Sequence, residues 1–229
     1  MPNREIKAVL FDSGDTLLRP IGGAWFPRPV LRRLFQKSGV EIVASRLDAA
    51  HNRGMHFLYR HHHISTEEEE VAQFRQFYAI VLSDLGIAAK PGTIEDLAFA
   101  EIQELSQEPF PETREVLEEL RGRGLRLGIV SNAWPSLDRI YRVLGLRDFF
   151  SAFIVSAHLG CMKPDPRIFR KAMEEIGVAP GEILFVDDVT EHVLAAQSLG
   201  MSGAVIARAH AANPSTRIIR SLVEVKSII

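Results

Sequence analysis

The sequence predicts an α/β protein: a parallel sheet with helices on both faces, interrupted early by an all-helical insertion. Three observations carry this reading. A near-continuous apolar run from Ala8 to Phe11 has the composition of a central strand covered on both faces. Between about Pro20 and Glu108 apolar residues recur at helical spacing with no strand pattern among them. Beyond Pro109-Phe110-Pro111 helix and strand alternate, the order that builds a parallel sheet.

After the first strand, the Gly/Pro-rich passage Arg19 to Pro27 reads as a connector leaving the sheet. Val30, Leu31, Leu34 and Phe35 then share one helix face, with Gly39 as its stop; Leu47, Ala50, Gly54 and Leu58 form a second, weaker face. A third helix is capped by Ser65 or Thr66 and carries Val71, Phe74, Tyr78, Val81, Leu82 and Leu85 down one side to Gly86. Ile94, Leu97, Ala98, Ile102 and Leu105 supply a fourth. In the second half, Val116, Leu117 and Leu120 mark a helix ending at Gly122 or Gly124, before an apolar strand from Leu125 to Val130. Pro135 opens a helix stopped by Gly145, and Ala152 to Val155 is a short strand. Asp165 caps a helix with Pro166 at its first position and Gly177 at its end. Ile183 to Val186 is a strand, Thr190 to Leu199 a helix, and Gly203 to Ala207 the last strand.

The 229 residues, 46% hydrophobic and 24% charged, suit one core with an insertion or two modest domains. A net charge of −2 leaves no basic field for a nucleic acid or an anionic membrane, so the expected partner is a small molecule. One cysteine, Cys161, forbids an intrachain disulfide and fits a reducing cytoplasm. No long apolar segment precedes the first strand and no run approaches a membrane span, in keeping with a cytoplasmic chain. Oligomeric state is open, because a helix face buried on the core and one buried on a partner read alike.

The polar residues fall at strand ends. Asp12 follows the first strand, Ser131-Asn132 follows Leu125–Val130, and Asp187-Asp188 follows Ile183–Val186; Lys163 sits in a loop that opens a helix at the same edge. In a parallel sheet these ends point one way, so a single crevice collects three acids, a hydroxyl, an amide and a lysine. Acids gathered in this manner call for a divalent cation, and oxygen-only ligands favour Mg²⁺. Such a site suits phosphoryl transfer to the free carboxylate of Asp12.

Four segments carry a resemblance: Phe11-Asp12-Ser13-Gly14-Asp15-Thr16-Leu17, Val130-Ser131-Asn132, Lys163-Pro164-Asp165-Pro166-Arg167-Ile168-Phe169 and Phe185-Val186-Asp187-Asp188. In order and spacing the chain resembles the haloacid dehalogenase-like hydrolases, in their helical-cap, phosphatase-like branch. The resemblance implies a Rossmann-like core of residues 1–19 and 109–229 with a helical cap over 20–108. It implies that Asp12 is a nucleophile forming an aspartyl-phosphate, that Ser131 hydrogen-bonds the transferring group and that Lys163 neutralises charge. Mg²⁺ would be held by Asp12, the Gly14 carbonyl, Asp187 and Asp188, and Asn132 would either contact a phosphorylated small-molecule substrate or cap a local turn.

One departure bears on the chemistry. Phosphatases of this family usually carry a second aspartate two residues after the nucleophile, as acid and then base; here that position is Gly14, and Asp15 stands where the family more often has glycine. Loss of a positioned acid/base costs on the order of 10² to 10⁴ in rate. Three readings follow: a phosphatase whose proton is moved by Asp15, a cap residue or water; a hydrolase of carbon–halogen or carbon–phosphorus bonds; or a weakened homologue that binds a ligand or partner. His192, where relatives often have asparagine, would alter the bracing of the Asp187-Asp188 loop.

Other features read as structural. His61-His62-His63 diverge around a helix axis and are expected on a solvated surface, and Glu67 to Glu70 are expected to stabilise the positive end of their helix from its surface. Cys161 lacks an evident partner. Trp25 and Phe26 are expected to line an entrance between cap and core or simply to pack.

Overall fold

A computed structural model describes residues 5–38, 43–208 and 216–229. Six parallel strands form the central sheet: β1 (Ala8–Phe11), β4 (Arg126–Ser131), β5 (Ala152–Val155), β6 (Ile183–Asp187), β7 (Ser202–Ile206) and β8 (Arg217–Ile219). Their spatial order is β5-β4-β1-β6-β7-β8. The chain therefore builds outward from β1 to one side, then returns and builds to the other. The β1/β6 boundary is thus the switch point, where open parallel sheets open a crevice at their carboxyl ends. Phe11 is in register with Val186, which sets Asp12 beside Asp187 across that boundary.

The strands alternate between two layers. Val9 and Phe11, with Leu127, Ile129 and Val186, pack on α5 (Thr113–Gly122) and α6 (Ser136–Val143). Ala8 and Leu10, with Val130 and Phe185, pack on α8 (Pro166–Ile176) and α9 (Thr190–Ser198). All four residues of β1 are fully buried, as its unbroken apolar run predicts. A one-turn helix, α7 (Ser156–Leu159), follows β5.

Between β1 and α5 stand four helices: α1 (Pro29–Ser38), α2 (Ala44–Arg60), α3 (Glu67–Leu85) and α4 (Thr93–Gln103). They enclose a core of their own around Phe74, Phe77, Tyr78 and Val81. Thr66 caps α3 with Glu69 completing a capping box, and Gly86 ends it at φ 71°. Where α2 meets α3, a Cβ on Gly54 would lie 2.5 Å from the Phe77 ring, so glycine is what allows the close approach. The stop expected at Gly39 lies outside the described residues.

Two expectations fail in detail. The insertion is not bounded by plain connectors: β2 (Leu18–Pro20) pairs antiparallel with β3 (Gln107–Pro109), Arg19 opposite Glu108. Strands of three residues are too short to leave a period in the sequence. Nor is β7 the last strand, since β8 extends the sheet beyond it after residues that carry no strand pattern. Among the described residues no helix is long and apolar enough to cross a membrane.

Candidate active site

Lys163 organises the site. Its side chain is 1% exposed, and its Nζ donates to Asp12 Oδ1 at 2.5 Å and to Asp187 Oδ2 at 2.7 Å. Burial alone would depress the ammonium's pKa, but the two carboxylates outweigh it and the pKa is raised, so Lys163 stays charged. Asn132 holds this lysine by its main chain: Oδ1 accepts from the Lys163 amide at 2.7 Å and Nδ2 donates to its carbonyl at 3.1 Å. The Asn132 amide thus positions Lys163 across 31 residues of chain, a contact that is not the local turn cap the sequence offered as an alternative.

Asp187 is fully buried and fully partnered. Oδ1 accepts from the Val189 amide at 2.8 Å and faces His192 Nδ1 at 3.1 Å, while Oδ2 takes Lys163. Burial raises its pKa, but Lys163 and His192 more than offset this and hold it below the usual carboxylate range. His192 therefore braces the acidic loop directly. Among the described residues Asp188 has no such partner. Burial, together with Asp12, Asp187 and Asp15, pushes it up to about 7. Asp12 rises to about 6, mainly through burial, with Lys163 opposing and Asp187 adding to the rise.

Carboxylate oxygens of Asp12, Asp187 and Asp188 lie within 4.8 Å of one another. One lysine against three acids leaves the cluster anionic, and a hard divalent cation fits both the oxygen-only donor set and the raised acids.

The loop after β1 is held from several sides. Ser13 Oγ accepts from the buried Tyr141 hydroxyl at 2.9 Å. Arg208 donates to the carbonyls of Asp15 and Thr16 at 3.2 and 2.8 Å and pairs with Glu112 at 2.7 Å. Asp15 has φ 55°, a left-handed conformation that aspartate tolerates better than most residues and that glycine adopts freely. Its Oδ2 accepts from Trp25 Nε1 at 2.8 Å. That bond lays the indole against Gly14, where a Cβ would lie 3.3 Å from Trp25 Cζ2.

Above the sheet edge, a cavity of about 330 Å³ lies between the helical block and the core. Ser13, Gly14, Ser131 and Asn132 line it from the core; Trp25, Phe26, Phe74 and Phe77 line it from the helices, and Trp134 closes one side. Trp25 and Phe26 both line this cavity, and Phe26 also packs against the core of the helical block. Sequence reasoning missed Arg28, paired with Glu101 at 2.8 Å, and His51, stacked on Phe26 with centroids 4.1 Å apart.

Two expected surfaces are interior. Glu70 is buried, and its carboxylate accepts from the Ser136 amide at 2.8 Å and from the Ser136 hydroxyl at 2.6 Å, bringing a cap to α6 from the helical block. Burial pushes it up to about 7 despite those bonds. Beside it Glu67 forms an ion pair with Arg139 at 3.0 Å. His62 is buried as well, with Nε2 2.5 Å from Ser156 Oγ and its ring edge-on to Trp134. Burial lowers it to about 4, so at neutral pH it is uncharged. His61 and His63 are exposed as expected. Cys161 is buried and free.

Comparison with known proteins agrees with this geometry. A family model described as a haloacid dehalogenase-like hydrolase matches residues 6–200. A phosphoserine phosphatase from Thermus thermophilus is 32% identical over 206 residues, covering 80% of this chain and 81% of that protein. A glyceraldehyde 3-phosphate phosphatase from Methanothermobacter thermautotrophicus is 27% identical over 212 residues, covering 88% and 85%. The fold is also that of the L-2-haloacid dehalogenase of Xanthobacter autotrophicus, with a TM-score of 0.69, 21% identity, and 97% and 98% of the two chains covered.

Proposed function

The chain belongs to the haloacid dehalogenase-like hydrolases, and from that membership we propose that it is a Mg²⁺-dependent phosphatase of small phosphorylated metabolites, acting through an aspartyl-phosphate at Asp12. The observation that carries the reading is the lysine bridge between Asp12 and Asp187, with Asp188 beside it and unpaired among the described residues. The Asp12 carboxylate attacks phosphorus, while Lys163 neutralises charge as the bond forms. Ser131, at the end of β4 and lining the cavity, donates to the transferring phosphoryl group. Asp12, Asp188 and the Gly14 carbonyl hold the cation, with Asp187 completing the acidic set and spending its own oxygens on Lys163, Val189 and His192. A bound Mg²⁺ supplies Lewis-acid stabilisation of the phosphoryl oxygens.

In this reading Gly14 stands in place of the family's second aspartate. Residues 20–108 act as a cap that closes over the core of 1–19 and 109–229, and the chain works in the cytoplasm. The relatives named phosphatases support phosphate esters as substrates. The acid pair Asp187-Asp188 weighs against the carbon–halogen alternative, whose branch works without the metal.

The test is phosphate release from a mixed panel of phosphomonoesters, with Mg²⁺ and with chelator, using Asp12→Asn as the blank. Release that needs both Mg²⁺ and Asp12 is expected. Release no greater than that of the Asp12→Asn blank across the panel would overturn the phosphatase reading.

A further inference from the structure

At their carboxyl ends β4 and β5 run in register, Ser131 opposite Val155, and then part. Ser156, the first residue of α7, ties the two chains together beyond that point: its Oγ lies 3.0 Å from the Ala133 amide nitrogen and 3.2 Å from the Ala133 carbonyl. The third neighbour of that oxygen comes from the helical block, His62 Nε2 at 2.5 Å. A hydroxyl has one hydrogen to give and two lone pairs to receive with. All three contacts are served when Oγ accepts from the Ala133 amide and from His62 Nε2–H and donates to the Ala133 carbonyl. Nδ1 is then the bare nitrogen of the ring, in keeping with its burial without a hydrogen-bond partner among the described residues.

What Ser156 holds bears on the reacting groups. Asn132, next to Ala133, clamps the Lys163 main chain at 2.7 and 3.1 Å, and Lys163 bridges Asp12 and Asp187. A continuous run of contacts therefore leads from His62 through Ser156, Ala133 and Asn132 to the lysine. The same turn of the helical block meets the Lys163 loop a second time. The Ile64 amide donates to the Ala157 carbonyl at 3.2 Å, and a Cβ on Gly160 would lie 2.9 Å from His63 Cγ, so that ring rests on backbone three residues before Lys163. The turn is held in its place as well: the Gln73 side chain donates to the His61 carbonyl and accepts from Trp134 Nε1 at 3.3 Å. His62 and Ser156 are both buried, where water does not replace a lost bond.

Resting on the phosphatase reading, we propose that His62 is a positioning residue: acting through Ser156, it fixes the Ala133 main chain and so places the Ser131 hydroxyl and the Asn132 clamp on Lys163 for phosphoryl transfer. The helical block thereby contributes to the chemistry without lending a group to the reacting atoms.

The experiment compares His62→Leu, which removes the donor at similar volume, with His62→Gln, whose side-chain amide can still donate to Ser156 Oγ, in phosphomonoester turnover. Expected for leucine is a kcat about 10- to 100-fold lower with KM within about twofold, and for glutamine a kcat within about threefold of the parent, as for groups displaced and restored. Combined with Ser156→Ala, the leucine substitution should cost less than about twofold more, because both remove one link. Amide hydrogen exchange reads the same link without turnover: the Ala133 and Lys163 amides should exchange at least about tenfold faster in His62→Leu, with those of β7 unchanged. Should leucine prevent folding, Ser156→Ala takes its place, with the same fall in kcat and the same two amides read. A folded variant that melts lower yet keeps its kcat and both protections, a folded glutamine variant as slow as the leucine one, or losses that multiply in the double variant would overturn the inference and leave the phosphatase reading standing. If the parent turns over no ester in an Asp12-dependent way, the phosphatase reading fails, and the two amides alone decide the link, unchanged exchange overturning it.

Discussion

Replacing Glu70 by glutamine tests how the helical block is fastened to the core. Glu70 caps α6 across the junction, and a carboxylate at a helix N-terminus ordinarily stabilises by about 0.3–1 kcal/mol, up to about 2 when partly buried. Here burial opposes it, and the folded-state pKa of about 7 against an ordinary 4.5 decides the balance. Between those values the folded protein holds a proton that the unfolded chain has lost. Glu70 therefore contributes stability that is full below pH 4.5 and disappears as pH rises through 7, a loss of about 3 kcal/mol for a shift of this size. The glutamine of Glu70→Gln is isosteric with the protonated acid and can still accept from the Ser136 amide. The variant should match the parent near pH 5 and exceed it in stability at pH 8.5, by at least about 1 kcal/mol. Urea unfolding of both proteins at the two pH values, followed by the fluorescence of Trp25 and Trp134 at the junction, measures the difference, and every other titrating group cancels. Equal differences at the two pH values, or a variant weaker than the parent at pH 8.5, would refute the reasoning.

Three further outcomes are expected. Asn132→Ala removes both hydrogen bonds to the Lys163 main chain; kcat should fall about 10- to 100-fold with little change in KM, as for a misplaced group, while the melting temperature stays within a few degrees. Asp12 and Asp188 are raised to about 6 and 7, so metal-free protein should lose stability as pH rises through that window. Mg²⁺ needs them ionised and should raise the melting temperature far more at pH 8 than at pH 5.5, and calorimetry with Asp188→Asn should show that affinity lost. Gly54→Ala gains about 1 kcal/mol in helix propensity but drives a methyl into the Phe77 ring. Overpacking of about 1–3 kcal/mol should win, giving a net loss in denaturant unfolding.

The sheet and the acidic cluster were legible because each rests on a local signal. An apolar run followed by Asp12, or by Asp187-Asp188, marks a strand and its carboxyl end whatever the rest of the chain does. Glu70 was misread because four adjacent glutamates look like a solvated turn. Yet position 70 lies one turn before Phe74, on the same stripe that buries Phe77 and Tyr78, and that period was the available signal. His62 offered no comparable sign. Its burial comes from Ser156 and Trp134, which the fold brings in from far along the chain. Asn132 could be placed at the site but not given a role, since an amide that clamps Lys163 and one that faces a ligand share one sequence.

The ribbon of β2 and β3 joins residues 89 apart in the chain, with Arg19 bonded to Glu108 at 3.0 Å. For the parallel sheet, everything between those strands is the tip of one hairpin. The four helices thus leave and rejoin the core at one paired point, so their combined length does not by itself set where β1 ends or α5 begins. The border marks 20 and 107 as the junctions at which to exchange the helical block.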